Sequence, residues 1–324
     1  MKQTLKFKTF FVAAAAVALV TITSCGKDDP PPPAPAPNTI TDKVVADASF
    51  TLLEQAVIRA NLATTLSGTG PFTVFAPDDA AFTAAGFTAT AINNTTPTAL
   101  SSLLLYHTIP ARILAAAVPA GPNARVVTAS GDSVFVTRNA SGVFVNGVRV
   151  TAADITADNG IIHKVGRVIR PATGNIVQTA VANTGLLDSL VKAVTRATTA
   201  PGGDPNLAST LSTATLTVFA PTNAAFTQLL TALSLQDINQ IPIATLLSVL
   251  RLHVVNPATA ARAFSSDLAN GSLPMLAGST TVALSANAAT IRGAGNTSTA
   301  PNIIATDIMA RNGVVHVIDR VLLP

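Results

Sequence analysis

Cysteine and charge are both scarce in this chain. Only one cysteine, Cys25, occurs in 324 residues, which excludes intramolecular disulfides and any cysteine-based metal cluster. Charged residues make up 11% of the sequence and hydrophobic residues 48%. That is too little charge for a disordered tail or a heptad coiled coil, and enough apolar matter for packed cores. Apart from one run, residues 10–24, the apolar residues are dispersed, so a polytopic membrane protein is not expected.

Catalytic and nucleotide-binding signatures are missing as well. The sequence has no G-x-S-x-G nucleophile turn, no P-loop and no G-x-G-x-x-G, and its acidic residues are scattered. The histidines are at least 56 residues apart in sequence, unlike a zinc motif, and we interpret them as core residues bonded to the backbone. They are His107, His163, His253 and His316. The sequence therefore predicts no enzyme activity, no cofactor and no metal site.

The excess of positive charge, formally +4 with a pI of about 9.6, belongs mostly to the N-terminus. Lys2, Lys6 and Lys8 precede the apolar run, and without these 3 of the 20 basic residues, 17 basic residues face 16 acidic ones. No stripe of Lys and Arg with interleaved aromatic residues remains to hold phosphates. We therefore expect no nucleic-acid partner.

The N-terminal segment has the layout of a secretory signal peptide, which we place at residues 1–24. The alternative, a membrane-spanning anchor, needs about 20 apolar residues, and this run is shorter. The position of Cys25 after the apolar run resembles the lipobox of bacterial lipoproteins, and that resemblance implies acylation of Cys25 and a membrane partner through the lipid. Residues 26–29 also resemble an export signal of some outer-membrane lipoproteins, and the alternative is an ordinary charged start of the linker. Eight residues, 30–37, then form a proline-rich spacer of about 25 Å, so residues 25–38 are the predicted anchor and linker.

An internal repeat accounts for the remaining chain. Three sequence blocks occur twice in the same order, at offsets of 144, 146 and 153 residues. The pairs are residues 72–82 and 216–226, 103–109 and 249–255, and 159–171 and 312–324. Residues 201–205 and 293–299 are turn-rich insertions of the second copy. Copies of this length suit a tandem pair of globular domains, which we place at 39–171 and 172–324.

The first block predicts a strand-to-helix corner. Its Thr-Val-Phe run reads as a strand that ends at Ala-Pro, because proline lacks the N–H that a strand donates. The next polar residue is a candidate helix N-cap, and a phenylalanine on that helix should return to the core near the strand phenylalanine. The residues concerned are Asp78, Phe82 and Phe75 in the first copy, and Thr222, Phe226 and Phe219 in the second.

Helices should come first and strands later in each copy, which makes each domain α+β. Apolar residues at helical spacing predict one leading amphipathic helix per copy. They are Val45, Leu53, Ala56, Val57 and Ala60, then Val181, Leu190, Ala193 and Val194. Short β-rich runs broken by turn residues follow, as in antiparallel hairpins. Asn-Gly in the third block marks a tight turn, and the run after it reads as the last strand, ended by Pro171 or Pro324.

With these blocks in view, each copy resembles a fasciclin (FAS1) domain. The resemblance covers residues 39–324 and implies two antiparallel β-sheet cores with several short helices. It also implies contact with a partner through the Tyr-His element, that is Tyr106 and His107, with Leu252 and His253 at the matching positions. Leu252 departs from the family pattern because it replaces the tyrosine. The alternative for this element is a helix end packed on its own domain.

The sequence as a whole predicts a non-catalytic surface lipoprotein for adhesion or matrix binding. Its expected partner is an extracellular protein or a polysaccharide, and its expected location is the cell envelope, in the outer membrane. The adhesion function is implied by the resemblance, whereas the display of the domains away from the membrane is predicted from the anchor and the spacer. Two alternatives stay open: a surface enzyme or capture protein for small ligands or glycans, and an envelope scaffold.

Overall fold

The computed structural model describes residues 38–286 and 288–324. The predicted signal peptide, Cys25 and the spacer lie outside these residues. The described residues cluster into one compact unit. Within the described ranges, no helix is both long enough and apolar enough to cross a membrane.

The first repeat combines six helices with one seven-stranded sheet in the order β2-β1-β7-β6-β5-β4-β3. Its helices are α1 (Ile40–Ala46), α2 (Thr51–Arg59), α3 (Ala63–Leu66), α4 (Asp79–Ala84), α5 (Ala89–Asn94) and α6 (Pro97–Tyr106). Its strands are β1 (Phe72–Pro77), β2 (Thr108–Ile109), β3 (Gly121–Val127), β4 (Ser133–Asn139), β5 (Gly142–Val145), β6 (Val148–Ala157) and β7 (Gly160–Val165).

The second repeat has two three-stranded sheets, ordered β11-β10-β9 and β12-β13-β8. Its helices are α7 (Ile176–Ala182), α8 (Thr184–Thr199), α9 (Pro205–Thr213), α10 (Asn223–Ala232), α11 (Ile243–Leu252) and α12 (Pro257–Ala260). Its strands are β8 (Leu216–Pro221), β9 (Gly271–Pro274), β10 (Ser279–Leu284), β11 (Ala289–Arg292), β12 (Ile303–Ala310) and β13 (Gly313–Ile318). The α+β architecture expected for both copies is confirmed.

Each repeat encloses its own interior. Two clusters of buried apolar side chains draw only on residues 40–169, and two others draw only on residues 176–323. No cluster in the described part of the chain crosses Pro171. In each repeat the pair of clusters lies on opposite faces of the central strand, because successive side chains of a strand point to opposite sides.

The sheets are antiparallel with one exception in each repeat. Strands β1 and β7 are parallel, with Phe72 opposite Gly160, and strands β8 and β13 are parallel, with Leu216 opposite Gly313. The first and third sequence blocks therefore lie side by side at the centre of each domain. The parallel pairs correct the antiparallel sheet cores that were expected, because strands so far apart in sequence give no local signal of their relative direction.

The predicted helix caps are confirmed, whereas the predicted phenylalanine contact is wrong. Asp78 Oδ1 accepts a hydrogen bond from the Ala81 N–H at 2.9 Å, and Thr222 does the same for Ala225 at 3.1 Å. Phe82 is buried, but it packs in the cluster on the opposite face of β1 from Phe75. The same separation holds for Phe226 and Phe219. The cause is the strand's alternation, which the corner residues do not reveal.

The predicted single leading helix is two helices in each copy. In the first copy the helix is interrupted at Asp47, whose carboxylate accepts a hydrogen bond from the Ser49 N–H at 2.9 Å. In the second copy it is interrupted at Asn183. The break turns the face of the first helix, so Val45 is 56% exposed and Val181 is 49% exposed, against prediction. The other residues of the predicted stripe are buried or half-buried.

The last strands end earlier than expected. Strand β7 stops at Val165 and β13 at Ile318, six residues before the prolines that were predicted to end them. A non-strand segment follows in each copy and packs back on the domain. The first copy has Lys164 where the second has the fully buried Val317, and Lys164 is only half-buried.

Candidate functional site

His107 and His253, at the ends of α6 and α11, make the same two contacts in the two repeats. In His107 the Nδ1–H donates to the Leu103 carbonyl at 2.8 Å, and Nε2 accepts from the Ile169 N–H at 3.0 Å. His253 has corresponding bonds to Val249 and Leu322 at 2.7 and 2.9 Å. These partners require the neutral ring. Burial lowers the pKa of each of the two imidazoles from 6.5 to about 4.

His163 and His316, on the central strands β7 and β13, use the opposite tautomer. The Nε2–H of His163 donates to the Ile113 carbonyl and that of His316 to the Ala263 carbonyl, both at 2.9 Å. Nδ1 accepts from the N–H of Asp154 at 3.2 Å in the first case, and from the N–H of Asp307 at 3.4 Å in the second. Burial lowers the pKa of His316.

Both nitrogens of every histidine are therefore engaged with the backbone. The interpretation of the four as core histidines is confirmed by these bonds. A ring with both nitrogens occupied has none left to bind a metal ion or to transfer a proton. In residues 38–286 and 288–324 no group of three or more His, Cys, Asp or Glu side chains is placed to hold an ion.

The Tyr-His element is buried, as the alternative of a helix end packed on its own domain predicted. Tyr106, His107, Leu252 and His253 are each at most 2% exposed. The Tyr106 hydroxyl donates to the Ser133 carbonyl at 3.1 Å and accepts from Asn146 Nδ2 at 2.9 Å. Burial raises the pKa of Tyr106 to about 12. The element packs on its own domain, and contact of its side chains with a partner stays an untested prediction.

Leu252 occupies the position of the tyrosine with an apolar side chain, so no hydroxyl needs a hydrogen-bond partner there. Its side chain packs in a cluster with Phe219 and lies against Gly293, where a Cβ would approach it to 3.1 Å. Gly293 opens the predicted insertion 293–299, whose Asn296 is buried. The Asn296 side chain accepts from the Gly293 and Leu323 N–H groups and donates to the Val321 carbonyl at 2.9 Å. Through these hydrogen bonds the insertion stabilises the position of the C-terminal segment.

A contact between the two repeats centres on Asp307. Its carboxylate is 2% exposed and accepts from Arg167 Nη2 of the first repeat at 2.9 Å. The Ser265 N–H and hydroxyl donate to the same carboxylate, both at 2.6 Å. Gly147, in the turn after β5, lies so close that a Cβ there would meet the carboxylate at 2.5 Å. Glycine is thus required where the first repeat approaches Asp307.

Aromatic packing extends this contact. The Arg262 guanidinium of the second repeat lies over the Phe135 ring of the first, 4.3 Å from its centroid, and Phe264 lies 6.1 Å from Phe135. Asn123 Nδ2 donates to the Arg262 carbonyl, and Asn139 Nδ2 donates to the Ser266 carbonyl at 3.0 Å. Burial lowers the pKa of Arg262 to about 10, so its charge is retained at neutral pH. The repeats are held together by charge, aromatic and hydrogen-bond contacts.

Replacing Phe135 with alanine should weaken the contact between the repeats. The change removes a cation–π contact and an aromatic pair, together worth about 2 kcal/mol. We expect denaturant unfolding of the wild type to be a single transition and that of the variant to separate into two. Val127→Ala, which shortens a 52% exposed side chain on the neighbouring strand, is the control. Identical curves for the two variants would show that Phe135 does not couple the repeats.

Beside this contact lies a groove of about 520 Å³ formed by both repeats, which we call the inter-repeat groove. Its apolar wall includes Phe87, Leu103, Val148, Val168, Ile308 and Met309, and its polar lining includes Thr95, Ser102, Arg167, Arg170, Thr173, Thr179, Asn183, Thr306 and Asp307. Ligand sites are commonly concave, mostly apolar and located between domains, with a few placed polar groups. The groove fits that description, and we take it as the candidate site.

The inter-repeat groove was not predicted from the sequence. Arg170 stands where the second copy has Leu323, and Thr179 belongs to none of the three repeated blocks. Comparison of the copies gives the one usable signal, because Arg170 is a charged residue where the repeat predicts an apolar one. The predicted contact residues Tyr106 and His107 lie in the interior and do not form the groove's polar lining.

Comparison with known proteins identifies the family. The Fasciclin domain model matches residues 48–171 and 187–324. Protein sll1483 of Synechocystis is 36% identical over 135 residues, 41% of this chain and 73% of its own length. Transforming growth factor-beta-induced protein ig-h3 of Sus scrofa is 33% identical over 135 residues, and human periostin 27% over 156 residues. The matches cover 19% of ig-h3 and 18% of periostin, so this chain spans about a fifth of each.

Among solved structures, the chain is similar to a FAS1 domain pair from the insect cell adhesion molecule fasciclin I. That match has a TM-score of 0.40 and 16% identity, and it covers 88% of this chain and 96% of the other. Because the family model matches most of the described residues in two segments, the chain belongs to the fasciclin family and carries two tandem FAS1 domains. Fasciclin domains are associated with cell adhesion and with the extracellular matrix.

Proposed function

We propose that this protein is a non-catalytic adhesion protein that binds an extracellular protein or polysaccharide through its paired fasciclin domains. The observation that carries the proposal is the inter-repeat groove, where Arg170 has no acidic partner and the buried Thr179 hydroxyl has no hydrogen-bond partner among the described residues, whereas the four histidines of the interior are fully bonded. Binding by a surface that both repeats form needs the contact between Arg167 and Asp307 to hold them together. It needs no titrating group and no metal ion.

The proposed location is the outer membrane, with lipid on Cys25. The proposal rests on the lipobox-like sequence before Cys25 and on the proline-rich spacer after it. Acyl chains contribute about 0.8 kcal/mol per buried CH₂ group, so several chains together would make release slow. A spacer of about 25 Å would keep the domains clear of the lipid headgroups.

A binding screen with turnover assayed in parallel tests the proposal. Residues 38–324 contain all four apolar clusters and are suitable as the purified protein. We expect at least one extracellular polysaccharide or matrix protein to be retained and recovered unchanged. Formation of a product would support the enzyme alternative and contradict the proposal. Crosslinking only to other envelope proteins of the same cell would favour a scaffold.

A further inference from the structure

We propose that the inter-repeat groove binds a polysaccharide segment that carries a carboxylate, that is, a uronic acid among neutral sugars. The inference rests on the proposed function and deepens it by naming the ligand class. Three features of the groove carry it: an arginine without an acidic partner, a buried hydroxyl without a hydrogen-bond partner, and an apolar wall beside several hydroxyl groups.

The charge of the groove favours an anion. Three charged side chains line it, and two of them, Arg167 and Asp307, pair with each other at 2.9 Å. The third, Arg170, has no carboxylate partner in the described part of the chain. Its Nη2 donates to the Ala85 carbonyl at 2.8 Å, and its guanidinium lies 5.4 Å from the centroid of the Phe87 ring. These two contacts hold the guanidinium in place at the groove, and its remaining N–H groups can bind a carboxylate.

The second feature is Thr179 on α7, which is 5% exposed. Its hydroxyl is the one buried side-chain polar atom without a hydrogen-bond partner among residues 38–286 and 288–324. Threonine in a helix commonly bonds the carbonyl four residues earlier. Other helical threonines of the second repeat do so: Thr195, Thr198, Thr199, Thr213, Thr227 and Thr231. A buried hydroxyl left unpaired costs stability, which favours a partner supplied from the groove.

The third feature is the mixture of surfaces. Sugars present apolar ring faces and many hydroxyl groups, and the groove offers the apolar side chains of Leu103, Val148 and Met309 next to hydroxyls of threonine and serine. A peptide strand would instead require a row of backbone partners. Apart from the paired Arg167 and Asp307, the polar groups of this groove are five side-chain hydroxyls, the two amides of Asn146 and Asn183, and the guanidinium of Arg170, which match a sugar better.

Titration calorimetry with three probes tests the ligand class: oligogalacturonate, neutral dextran and polyglutamate. We expect oligogalacturonate to bind, dextran not to bind, and the affinity for oligogalacturonate to fall as salt rises because exposed charges are screened. Binding of polyglutamate instead would assign the groove to acidic peptides and overturn the proposal. Equal binding of dextran would show that the carboxylate is not recognised.

Two variants place the binding in the groove. Arg170→Gln should weaken oligogalacturonate binding about tenfold or more, because a charge-assisted bond is lost. Thr179→Val should weaken binding about threefold to tenfold, while its thermal stability stays equal or rises, since the change removes an unpaired hydroxyl. A purely structural threonine would instead change stability and leave affinity intact. The matched controls are Arg59→Gln and Thr195→Val, both exposed and outside the groove.

The experiments distinguish a failure of the groove proposal from a failure of the proposed adhesion function. If the screen finds an extracellular ligand whose affinity is the same for Arg170→Gln and for the wild type, the groove proposal is overturned and the adhesion proposal stands. If oligogalacturonate is cleaved, the non-catalytic function is contradicted even when the groove holds it.

Discussion

Lowering the pH from 7 to 4 should destabilise the protein by about 3 kcal/mol for each of His107 and His253. The folded rings take up a proton only near pH 4, whereas the unfolded chain does so near pH 6.5. Between these values the unfolded state holds more protons, so stability falls as the pH falls. Each pKa unit corresponds to about 1.4 kcal/mol, which gives the expected size.

The cause lies in the two bonds of each ring. The Nδ1–H of His107 already donates to Leu103, so protonation would place a hydrogen on Nε2, which faces the N–H of Ile169 at 3.0 Å. The acceptor bond is lost and a charge is buried. In the second repeat, His253 faces Leu322 in the same way.

Urea unfolding between pH 4 and pH 8 measures this effect. His107→Gln and His253→Gln cannot titrate in that range, so each variant should be less stable at pH 7 and should lose its share of the pH dependence. Asp42, Asp47 and Asp204 have pKa values lowered by hydrogen bonds, so their contributions are lost below pH 4. Unchanged pH dependence in both histidine variants would show that the rings do not control acid stability.

The second large effect concerns the glycines of the third block. Gly313→Ala should destabilise the second domain by about 3 kcal/mol, and Gly160→Ala should do the same to the first, at the upper end of the cost of overpacking. A Cβ at Gly313 would overlap the Leu216 carbonyl oxygen and lie 2.7 Å from Ile176 Cδ1. A Cβ at Gly160 would overlap the Phe72 carbonyl oxygen.

The backbone at each glycine cannot move away from the carbonyl, because each glycine is the first residue of a strand that is paired in the central parallel pair. Gly185→Ala is the matched control: nothing lies within 4 Å of its Cβ, and alanine favours the helix α8 by up to about 1 kcal/mol. Thermal or denaturant unfolding reports the difference. If Gly313→Ala were as stable as Gly185→Ala, the close approach of β8 and β13 would be refuted.

Local patterns predicted the parts of the fold that depend on neighbouring residues. Asp78 caps its helix and the Asn-Gly turn precedes the last strand, because a cap or a turn is determined within a few residues. The side of the sheet on which Phe82 packs, the direction of β7 relative to β1 and the helix break at Asp47 were not predicted. Each of these depends on contacts that local spacing does not contain.

The candidate site could not be predicted for the same reason. Arg170 and Thr179 are close in sequence but belong to different repeats, and the groove exists only because Phe135, Arg262 and Asp307 hold those repeats together. Those three residues are far apart in sequence and lie in none of the repeated blocks. The burial of the four histidines could be predicted, since their neighbours in sequence are apolar.

Attachment of whole cells tests most directly the claim that this protein works by holding an extracellular ligand from the cell surface. Cells with the intact protein, cells lacking it and cells with Cys25→Ser would be compared on surfaces coated with oligogalacturonate or matrix protein. The account predicts attachment only with the intact protein, and a coating that is chemically unchanged afterwards. Equal attachment of all three cell types, or a coating cut by the intact protein, would contradict it.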